Sequence, residues 1–425
     1  MLLQFAVQNY KTIRDEVIFS MLAEEEDPNL SYSLFHRAVG KEDYKIMSSS
    51  VVAGPNASGK TNLFSAMDTL RSIVLRGNIL NAPDSSNPNK AAHTLELIPN
   101  AYGAHEPVAF YIAFIENEMM VEYSLAIDLG PFMALNFERK VVSEELLLNN
   151  EVVFKREGDN ITLGQLDHMS PLLNSRFVPN IVAYANLEST ELFLVNSFKS
   201  LCSTKLASLI KNWFEQKLII VFSDNKLLSD PRIPDYYKER TLNEAVSHFG
   251  ASNSIFYVQE KSGNKLVSKV NDLMLLSENF ESLGTLRFSQ IFPLIIKAYD
   301  IGATLVIDEF AQNLHADGVF SIINAFHNDD FNVKESQLIF NTQNLVYLNQ
   351  CAFRKDELKI MDAKDGKGSE LYSVADFEVS ESDDTYDCYK NYLRGLYGVF
   401  KEVEYETIFC SLAERSNNAK EVKWQ

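Results

Sequence analysis

The spacing of apolar residues along the chain predicts that β-strands and helices alternate. Small and β-branched residues in "SSSVVAG" (48–54) predict a short buried strand that ends in a glycine. The following segment, "TNLFSAMDTLRSIVLRG" (61–77), has apolar residues at helical spacing, and Gly77 predicts its end. The apolar positions are Leu63, Phe64, Met67, Leu70, Ile73 and Val74. A strand, a glycine-rich loop and a helix therefore follow one another.

Strand patterns lie on both sides of this unit. Residues 2–22 alternate apolar and polar positions and predict a hairpin around Asn9–Lys11. Residues 107–129 predict two strands around a polar turn at 116–118, and a third strand is expected around Val141. Between them, "NAPDSSNPNKAA" (81–92) is rich in Pro, Asn and Ser and predicts a surface loop.

The pattern becomes helical from about residue 165 to 250. Residues 189–218 predict one long helix that Ser189 or Thr190 would cap. A helical core segment explains its apolar side better than a partner-binding helix does. The apolar side consists of Leu192, Val195, Phe198, Leu201, Leu206, Leu209, Ile210 and Phe214. We interpret this block as an insertion into a larger domain.

Strand patterns return after residue 250. "NSIFYVQE" (253–260) and "NKLVSKVNDLMLL" (264–276) are β-rich, residues 284–302 predict a helix, and "ATLVIDEF" (303–310) predicts another buried strand. The acidic stretch at 377–387 and the polar tail at 413–425 predict solvated segments, with mobility at the tip of the tail.

The loop at 53–62, "AGPNASGKTN", fits the phosphate-binding pattern G-x-x-x-x-G-K-[ST]. The pattern alone could be a plain turn with an incidental lysine, but here it follows a predicted strand and opens a predicted helix. Backbone N–H groups of such a loop and the positive end of the helix form an anion site. Lys60 would reach the terminal phosphates, and the Thr61 hydroxyl would bind Mg²⁺. The predicted nucleotide-binding residues here are Gly54, Pro55, Asn56, Ala57, Ser58, Gly59, Lys60, Thr61 and Asn62.

Two further motifs follow this loop in the sequence, and they indicate a function only in combination with it. Asp308 and Glu309 end a predicted buried strand, so both carboxylates are expected at the sheet edge where α/β proteins bind ligands. Asp308 would hold Mg²⁺ through water, and Glu309 would orient or deprotonate the attacking water. In "ESLGTLR" (281–287), Ser282, Gly284 and Thr285 lie where a helix begins and could form a second anion site. Taken alone, the first motif matches an ordinary strand end and the second an ordinary helix cap.

Composition limits the class of protein. The 425 residues carry a net charge of −19, with 46% apolar residues and only four scattered cysteines. This indicates a cytoplasmic protein with reduced thiols, and neither a membrane span nor a secretory signal is expected. The negative charge argues against an extended nucleic-acid surface, without excluding DNA binding. Seven histidines show no metal-ligand spacing.

Together the three motifs resemble the ATP-binding-cassette (ABC) ATPase heads of SMC proteins and OLD-like ATPases. The resemblance implies an α/β fold: a P-loop mixed sheet flanked by helices, with an antiparallel β lobe and here a helical insertion. It also implies a homodimer or higher oligomer in which Ser282, Gly284 and Thr285 of one chain face the loop at 54–61 of the other. In this family Lys11, within "NYK", would lie near the nucleotide, and "NLH" (313–315) would cross the dimer interface. The implied cofactors are ATP and Mg²⁺.

One position departs from this family's pattern. The strand predicted in "SQLIFNTQ" (336–343) usually ends in Thr-Thr-His, and its histidine senses the γ-phosphate, whereas this chain carries Gln343. Glutamine can donate a hydrogen bond to a phosphate but cannot carry positive charge. We therefore assign Gln343 to the catalytic group with Glu309 and Lys60 and expect slow hydrolysis, with ATP acting more as a clamp.

Within this group the chain is most similar to stand-alone ATPases of bacterial anti-phage operons, of the RloA, AbiL and PARIS AriA types. "FRKDEL" (353–358), "DGKGSELYSVADF" (365–377) and "YKNYLRGLYGVF" (389–400) carry this resemblance. It implies a sensor and scaffold that holds a separate effector protein, such as a nuclease or toxin encoded nearby. A phage protein would be the trigger.

Two alternatives remain at this stage. An OLD-like enzyme acting directly on DNA would need a C-terminal nuclease, and we interpret Asp383, Asp384 and Asp387 as a solvated face instead. An SMC-like role in chromosome maintenance would need long heptad arms, for which the insertion is too short.

The expected domains follow from the order of these motifs. They are the N-terminal part of the head with the phosphate-binding loop (1–130) and a largely helical insertion or lid (131–254). The C-terminal part of the head (255–380) contains the Ser282–Thr285 segment, Asp308 and Glu309, and Gln343, and a C-terminal extension (381–425) follows.

Overall fold

The structure is a computed structural model, and its description covers most of the chain. The described residues are 1–24, 32–80, 97–102, 105–132, 137–178, 180–222, 239–248, 253–260, 263–348, 352–364, 368–377 and 388–398. The predicted loop at 81–92, the acidic residues 383, 384 and 387, and the tail at 413–425 lie outside these ranges.

The strands and helices occur in mixed order along the chain. The strands are β1 (Leu2–Gln8), β2 (Val17–Ser20), β3 (Leu34–Val39), β4 (Glu42–Met47), β5 (Ser49–Ala53), β6 (Val108–Glu116), β7 (Met119–Asp128), β8 (Lys140–Leu148), β9 (Glu151–Glu157), β10 (Asn160–Leu163), β11 (Leu218–Val221), β12 (Ser254–Glu260), β13 (Gly263–Val270), β14 (Leu273–Leu276), β15 (Thr304–Ile307), β16 (Gln337–Thr342), β17 (Leu358–Lys364) and β18 (Gly368–Ser373). The α-helices are α1 (Lys60–Arg76), α2 (Lys199–Leu201), α3 (Thr204–Asn212), α4 (Glu239–His248), α5 (Leu283–Ile301), α6 (Ala316–His327) and α7 (Cys388–Leu393). None of the helices within the described ranges has the length and apolar character needed to span a membrane.

Two large sheets form the body of the molecule. One is antiparallel, in the order β10-β9-β8-β7-β6-β1-β2. The other has the order β11-β15-β16-β5-β17-β18, and all its neighbours are parallel except the last pair. The predicted fold class is confirmed: an α/β head with a mixed sheet, flanking helices and an antiparallel β lobe.

The parallel sheet separates two hydrophobic cores. Successive side chains of β5 point to opposite faces, so Val52 joins one core while Val51 and Ala53 join the other. The first core contains α1 and the inner face of the antiparallel sheet. The second is covered by α5 and α6. Burial on both faces explains why β5 is apolar or small throughout.

Glycine sets both ends of α1. Gly59 occupies the N-cap position at φ 105°, and Gly77 occupies the C-cap position at φ 76°. The N–H of Gly77 donates to the carbonyl of Ile73, which satisfies a terminal carbonyl of the helix. The end that the sequence predicted at Gly77 is confirmed.

The interpretation of residues 131–254 as a largely helical insertion needs correction. Strands β8, β9 and β10 extend the antiparallel sheet, and β11 forms an edge of the parallel sheet. Strand β8 is the third strand expected around Val141, whereas β9 and β10 were not predicted, and in β9 charged Arg156 occupies a buried position where an apolar residue would be expected. Among the described residues of this interval, the helical ones lie between β10 and β11 and in α4 beyond them.

The single long helix predicted for 189–218 is also broken in the structure. A π-helical turn (Leu194–Phe198) and α2 end at Cys202, and α3 starts anew with Ser203, whose side chain accepts from the Leu206 N–H. The start is not capped by Ser189 or Thr190. Instead, Glu144 of β8 accepts the N–H groups of Phe193 and Leu194 at 2.6 and 2.9 Å. A cap from a distant strand cannot be read from local sequence.

Replacement of Glu144 by alanine should destabilise the fold strongly. It would leave two buried N–H groups without an acceptor and remove the carboxylate 3.7 Å from the buried guanidinium of Arg156. We expect Glu144→Ala to lower the free energy of unfolding by about 3–5 kcal/mol, measured by urea denaturation. Exposed Glu157, in an adjacent strand, provides the control, and its alanine variant should lose no more than about 1 kcal/mol. Similar losses in the two variants would contradict this account.

Candidate functional site

The loop at 54–59 connects the central parallel strand to α1 and is closely packed. Gly54 and Gly59 both have positive φ, and a Cβ on either would clash with neighbours, Met361 at the first and Ser369 at the second. Glycine is therefore required at both positions for two reasons, backbone conformation and space. Ser58 is buried, while Asn56 and Ala57 form the exposed crown of the loop.

The N-terminus of α1 has the properties of an anion site. Its N-cap residue, Gly59, provides no side-chain cap, and the first turn contains no acidic residue. The N–H groups of that turn and the helix dipole therefore favour an anion. Lys60 adds a cation: its Nζ donates to the carbonyls of Gly54 and Pro55 at 2.8 and 2.7 Å. This donor set fits a phosphate chain.

A hydroxyl and a carboxylate meet beside this helix end. Thr61 Oγ1 donates to Asp308 Oδ1 at 2.9 Å. Asp308 follows β15, and burial raises the pKa of its carboxyl group, while hydrogen bonds from Asn341 and Thr61 act in the opposite direction. Oxygen donors of this kind are those that Mg²⁺ prefers, and a magnesium ion in phosphate sites usually has one or two protein ligands besides phosphate. Thr61 and Asp308 therefore fit the metal that the loop pattern implies.

Glu309 is held by two residues of the neighbouring strand. Its N–H donates to Asn341 Oδ1 at 2.6 Å, and its Oε1 accepts from Gln343 Nε2 at 3.1 Å. Glu309 has a φ of 50°, which is uncommon for a residue with a side chain. The structure thus brings together Asp308, Glu309 and Gln343 with the loop that begins α1.

The predicted second anion site lies at the start of α5. Ser282 caps this helix: its Oγ accepts the N–H of Thr285 at 3.0 Å and lies 2.9 Å from the Thr285 hydroxyl. A Cβ on Gly284 would clash with the carbonyl oxygen of Asn313. The close approach places the Ser282–Thr285 segment against the predicted interface loop at 313–315, although 28 residues lie between Gly284 and Asn313 in the sequence.

Lys11 lies over the second turn of α1. Its Nζ donates to Ser65 Oγ at 3.2 Å and lies 5.4 Å from the centroid of the Tyr10 ring. Tyr10 is fully buried and its hydroxyl contacts Ser65 and Thr69, both at 3.0 Å. The loop at 9–11 is thereby fixed to the helix that starts at the phosphate-binding loop, one turn beyond Thr61.

Several residues of the site were missed from the sequence. Asn341 contacts Asp308 and Glu309, and Arg287 of α5 donates to the Asp308 carbonyl at 3.1 Å. Thr12 accepts from Asn62 Nδ2 at 2.8 Å and from Ser369 Oγ at 2.9 Å. Only Asn341 had a detectable signal, a polar residue at the end of a buried apolar run, two positions before Gln343. The contacts of the others depend on partners that are distant in sequence, so no local pattern indicated them.

Comparison with known proteins agrees with a nucleotide-binding head. Residues 49–171, less than a third of the chain, match the family model described as AAA domain, putative AbiEii toxin, Type IV TA system. None of the curated proteins compared with this chain is similar to it in sequence.

The chain is also similar in shape to solved SMC heads, at low identity. The SMC head domain from Thermotoga maritima is 13% identical, with a TM-score of 0.39, over 89% of this chain and 99% of that one. An SmcHead bound to the C-winged helix domain of ScpA is 13% identical, with a TM-score of 0.41, over 90% and 98%. An Smc head with an extended coiled coil, bound to the C-terminal domain of ScpA derived from Pyrococcus furiosus, is 13% identical, with a TM-score of 0.40, over 88% and 96%.

Nucleotide binding should be coupled to proton uptake by Lys60. Burial lowers the pKa of its ammonium group from 10.5 to about 8, although Asp308 and Glu309 oppose this shift. Bound phosphates would raise that pKa again, because a nearby anion favours the charged form. We therefore expect the affinity for ATP to fall as the pH rises above about 8. Calorimetry near that pH, in two buffers of different ionisation enthalpy, should show proton uptake on binding.

The control for this measurement is Lys60→Arg. A guanidinium group keeps its charge across this pH range, so binding to the variant should take up no proton at this position. Identical proton uptake in the two proteins would assign the effect to another group.

Proposed function

We propose that this protein is a Mg²⁺-dependent ATPase. The observation that carries the proposal is one connected set of hydrogen bonds, which joins Thr61 at the phosphate-binding loop to Asp308, Asn341, Glu309 and Gln343. In this set the proposed metal ligand, Asp308, and the proposed general base, Glu309, are neighbours, and Asp308 contacts the first turn of α1. Such an arrangement supports phosphoryl transfer to water.

Each residue of this set has a definite task in the proposed reaction. When bound, Mg²⁺–ATP supplies the γ-phosphoryl group and a cation that neutralises developing charge. The N–H groups of α1 and Lys60 hold the phosphates, while Thr61 and Asp308 hold the metal. Glu309 holds the attacking water and accepts its proton as the water oxygen bonds to the γ-phosphorus and the bond to the bridging oxygen breaks. The products are ADP and phosphate.

Gln343 supports slow turnover in this proposal. Its amide donates to Glu309 and lies exposed just after β16, and in the proposed complex it would donate to a phosphate oxygen. A neutral amide contributes no full positive charge to the transition state, unlike a protonated histidine. ATP would therefore hold the assembly together for longer between hydrolysis events.

The proposed active site is completed by a second copy of the chain. Ser282 is exposed, and Leu283 beside it has 69% of its surface exposed. Ser282, Gly284 and Thr285 of one chain would face the phosphate-binding loop of the other, with residues 313–315 between them. Each ATP would then be held by both chains.

The proposed biological role is in anti-phage defence. The family model matched by residues 49–171 describes a putative toxin of a type IV toxin–antitoxin system, which supports a role in abortive infection. We infer that the ATP-bound assembly holds a separate effector protein and releases or activates it when a phage component is sensed. The net charge of −19 favours a protein partner over extended contact with DNA.

Two substitutions should separate ATP binding from hydrolysis. Lys60→Ala removes the buried cation that faces the phosphates, so it should abolish ATP binding and defence. Glu309→Gln removes the base but keeps the phosphate and metal ligands, so it should bind ATP and remain in the ATP-bound assembly. Light scattering with ATP measures ATP-dependent assembly, and phosphate release measures hydrolysis. Normal turnover by Glu309→Gln would exclude that residue as the base.

The trapped Glu309→Gln assembly also tests the proposed role. Purified from its native host with ATP, it should carry a stoichiometric protein encoded by a neighbouring gene and no nucleic acid. Bound DNA without a protein partner would instead favour an enzyme that acts directly on nucleic acid.

Mixing two inactive variants should test whether the active site is shared between chains. Lys60→Ala is defective in its own loop, and Ser282→Arg is defective in the segment that it offers to its partner. In an isologous dimer of one copy of each, one of the two sites contains only intact residues. We expect an equal mixture to recover about a quarter of the wild-type ATPase activity, since half of the dimers are mixed. No recovery, with both variants folded and exchanging subunits, would contradict a site formed in trans.

A further inference from the structure

Asn341 is fully buried at the end of β16 and bridges the two acidic residues of the site. Its Nδ2 donates to Asp308 Oδ1 at 2.5 Å, and its Oδ1 accepts the N–H of Glu309 at 2.6 Å. The register explains the placement: Ile307 pairs with Phe340 in the parallel sheet, so the next residue of each strand, Asp308 and Asn341, lies alongside its counterpart.

The carboxamide of Asn341 satisfies both partners. An ionised Asp308 can only accept hydrogen bonds, and a backbone N–H can only donate. Asparagine offers a donor to the first and an acceptor to the second, on a side chain short enough to stay within the sheet edge. A carboxylate at this position would have no donor for Asp308, and a hydroxyl group would be too short to reach both groups.

The bond to the Glu309 backbone has a conformational consequence. Glu309 has a φ of 50°, in the left-handed region, where a side chain is disfavoured. A residue keeps such a conformation when its surroundings fix it. The Asn341 carbonyl oxygen supplies a fixed acceptor for the Glu309 N–H in that conformation, and the Glu309 carboxylate is thereby directed towards Gln343.

Asn341 and Gln343 act on the same target from nearby positions: Asn341 is the buried penultimate residue of β16, and exposed Gln343 directly follows the strand. The first holds the backbone of Glu309 and the second its carboxylate. The neighbouring Thr342 instead uses its hydroxyl to accept the N–H of Asn344.

We propose that Asn341 is a positioning residue that links the metal ligand Asp308 to the base Glu309 and holds the base in its left-handed backbone conformation. The inference rests on the proposed ATPase function for its catalytic consequence. Its conformational part stands without that function.

The conformational part can be tested by thermal unfolding, without nucleotide. Glu309→Gly and Glu309→Ala both remove the carboxylate, but only glycine adopts positive φ without strain. With Asn341 present, Glu309→Gly should therefore melt at a higher temperature than Glu309→Ala. In the Asn341→Ala background the backbone is free to relax, so this advantage of glycine should disappear. The same advantage in both backgrounds would show that Asn341 does not hold the backbone.

The catalytic part is tested by the steady-state kinetics of Asn341→Ala. Loss of a residue that orients a metal ligand or base typically reduces activity about 10- to 100-fold. We expect a fall of that size in kcat, a higher Mg²⁺ concentration for half-maximal activity, and a smaller change in KM for ATP. If the wild-type protein hydrolyses ATP and Asn341→Ala has the same kcat, the catalytic part is overturned.

Asn332 provides a matched control in the loop that precedes the same strand. It is also a buried asparagine that bridges backbone groups: it donates to the carbonyls of Phe326 and Ser336 and accepts the N–H of Ser336. Asn332→Ala should lower the melting temperature but leave kcat and the Mg²⁺ dependence of the folded protein unchanged. If it altered both to the same extent as Asn341→Ala, the effects of Asn341 would be those of general destabilisation.

These measurements distinguish failure of the inference from failure of the proposed function. A wild-type protein that hydrolyses no ATP would refute the ATPase proposal, and the unfolding comparison would still decide whether Asn341 holds Glu309. A wild-type ATPase with an unaffected Asn341→Ala variant would refute the inference alone.

Discussion

The parallel pairing of β15, β16 and β5 is the constraint on which the candidate site depends. Because the three strands run in the same direction, the residues that follow them meet at one edge of the sheet. β5 leads into the loop at 54–59 and β15 into Asp308 and Glu309, while Asn341 lies at the end of β16 and Gln343 just after it. A shift of one residue in either pairing would turn the alternate side chains of β16 towards the opposite face and separate the carboxylates from their partners.

Polar groups at this edge are stabilised by one another. Burial disfavours the ionised form of Asp308 and lowers the pKa of Lys60, and the left-handed backbone of Glu309 is intrinsically unfavourable. Each of these groups has hydrogen bonds that offset its cost: Thr61 and Asn341 for Asp308, and loop carbonyls for Lys60. Strain and desolvation are concentrated where the chemistry is proposed, as is usual for functional sites.

The antiparallel sheet supports the site through α1. One face of α1 packs in the core that also contains the inner face of this sheet, and the loop at 9–11 is fastened to α1 by Tyr10 and Lys11. Strands β8 and β9 belong to the same sheet, so the segment first interpreted as an insertion contributes to the head. Glu144 then connects this sheet to the helical segment that begins at Phe193. The position of α1, and with it the end of the loop at 54–59, is therefore set from both sides.

The sequence by itself determined the local features: the loop at 54–61, the two ends of α1, the apolar strands β5, β15 and β16, and the cap of α5 at Ser282. These features depend on residue type and on spacing within a few positions, because glycine, helix periodicity and short apolar runs act locally. The tertiary structure alone decided the contacts of Asn341, Arg287, Thr12 and Ser369, the addition of β9 and β10 to the antiparallel sheet, and the break at Ser203. Each of these depends on a partner that is distant in sequence, and register and long-range hydrogen bonds leave no periodic signal in the chain.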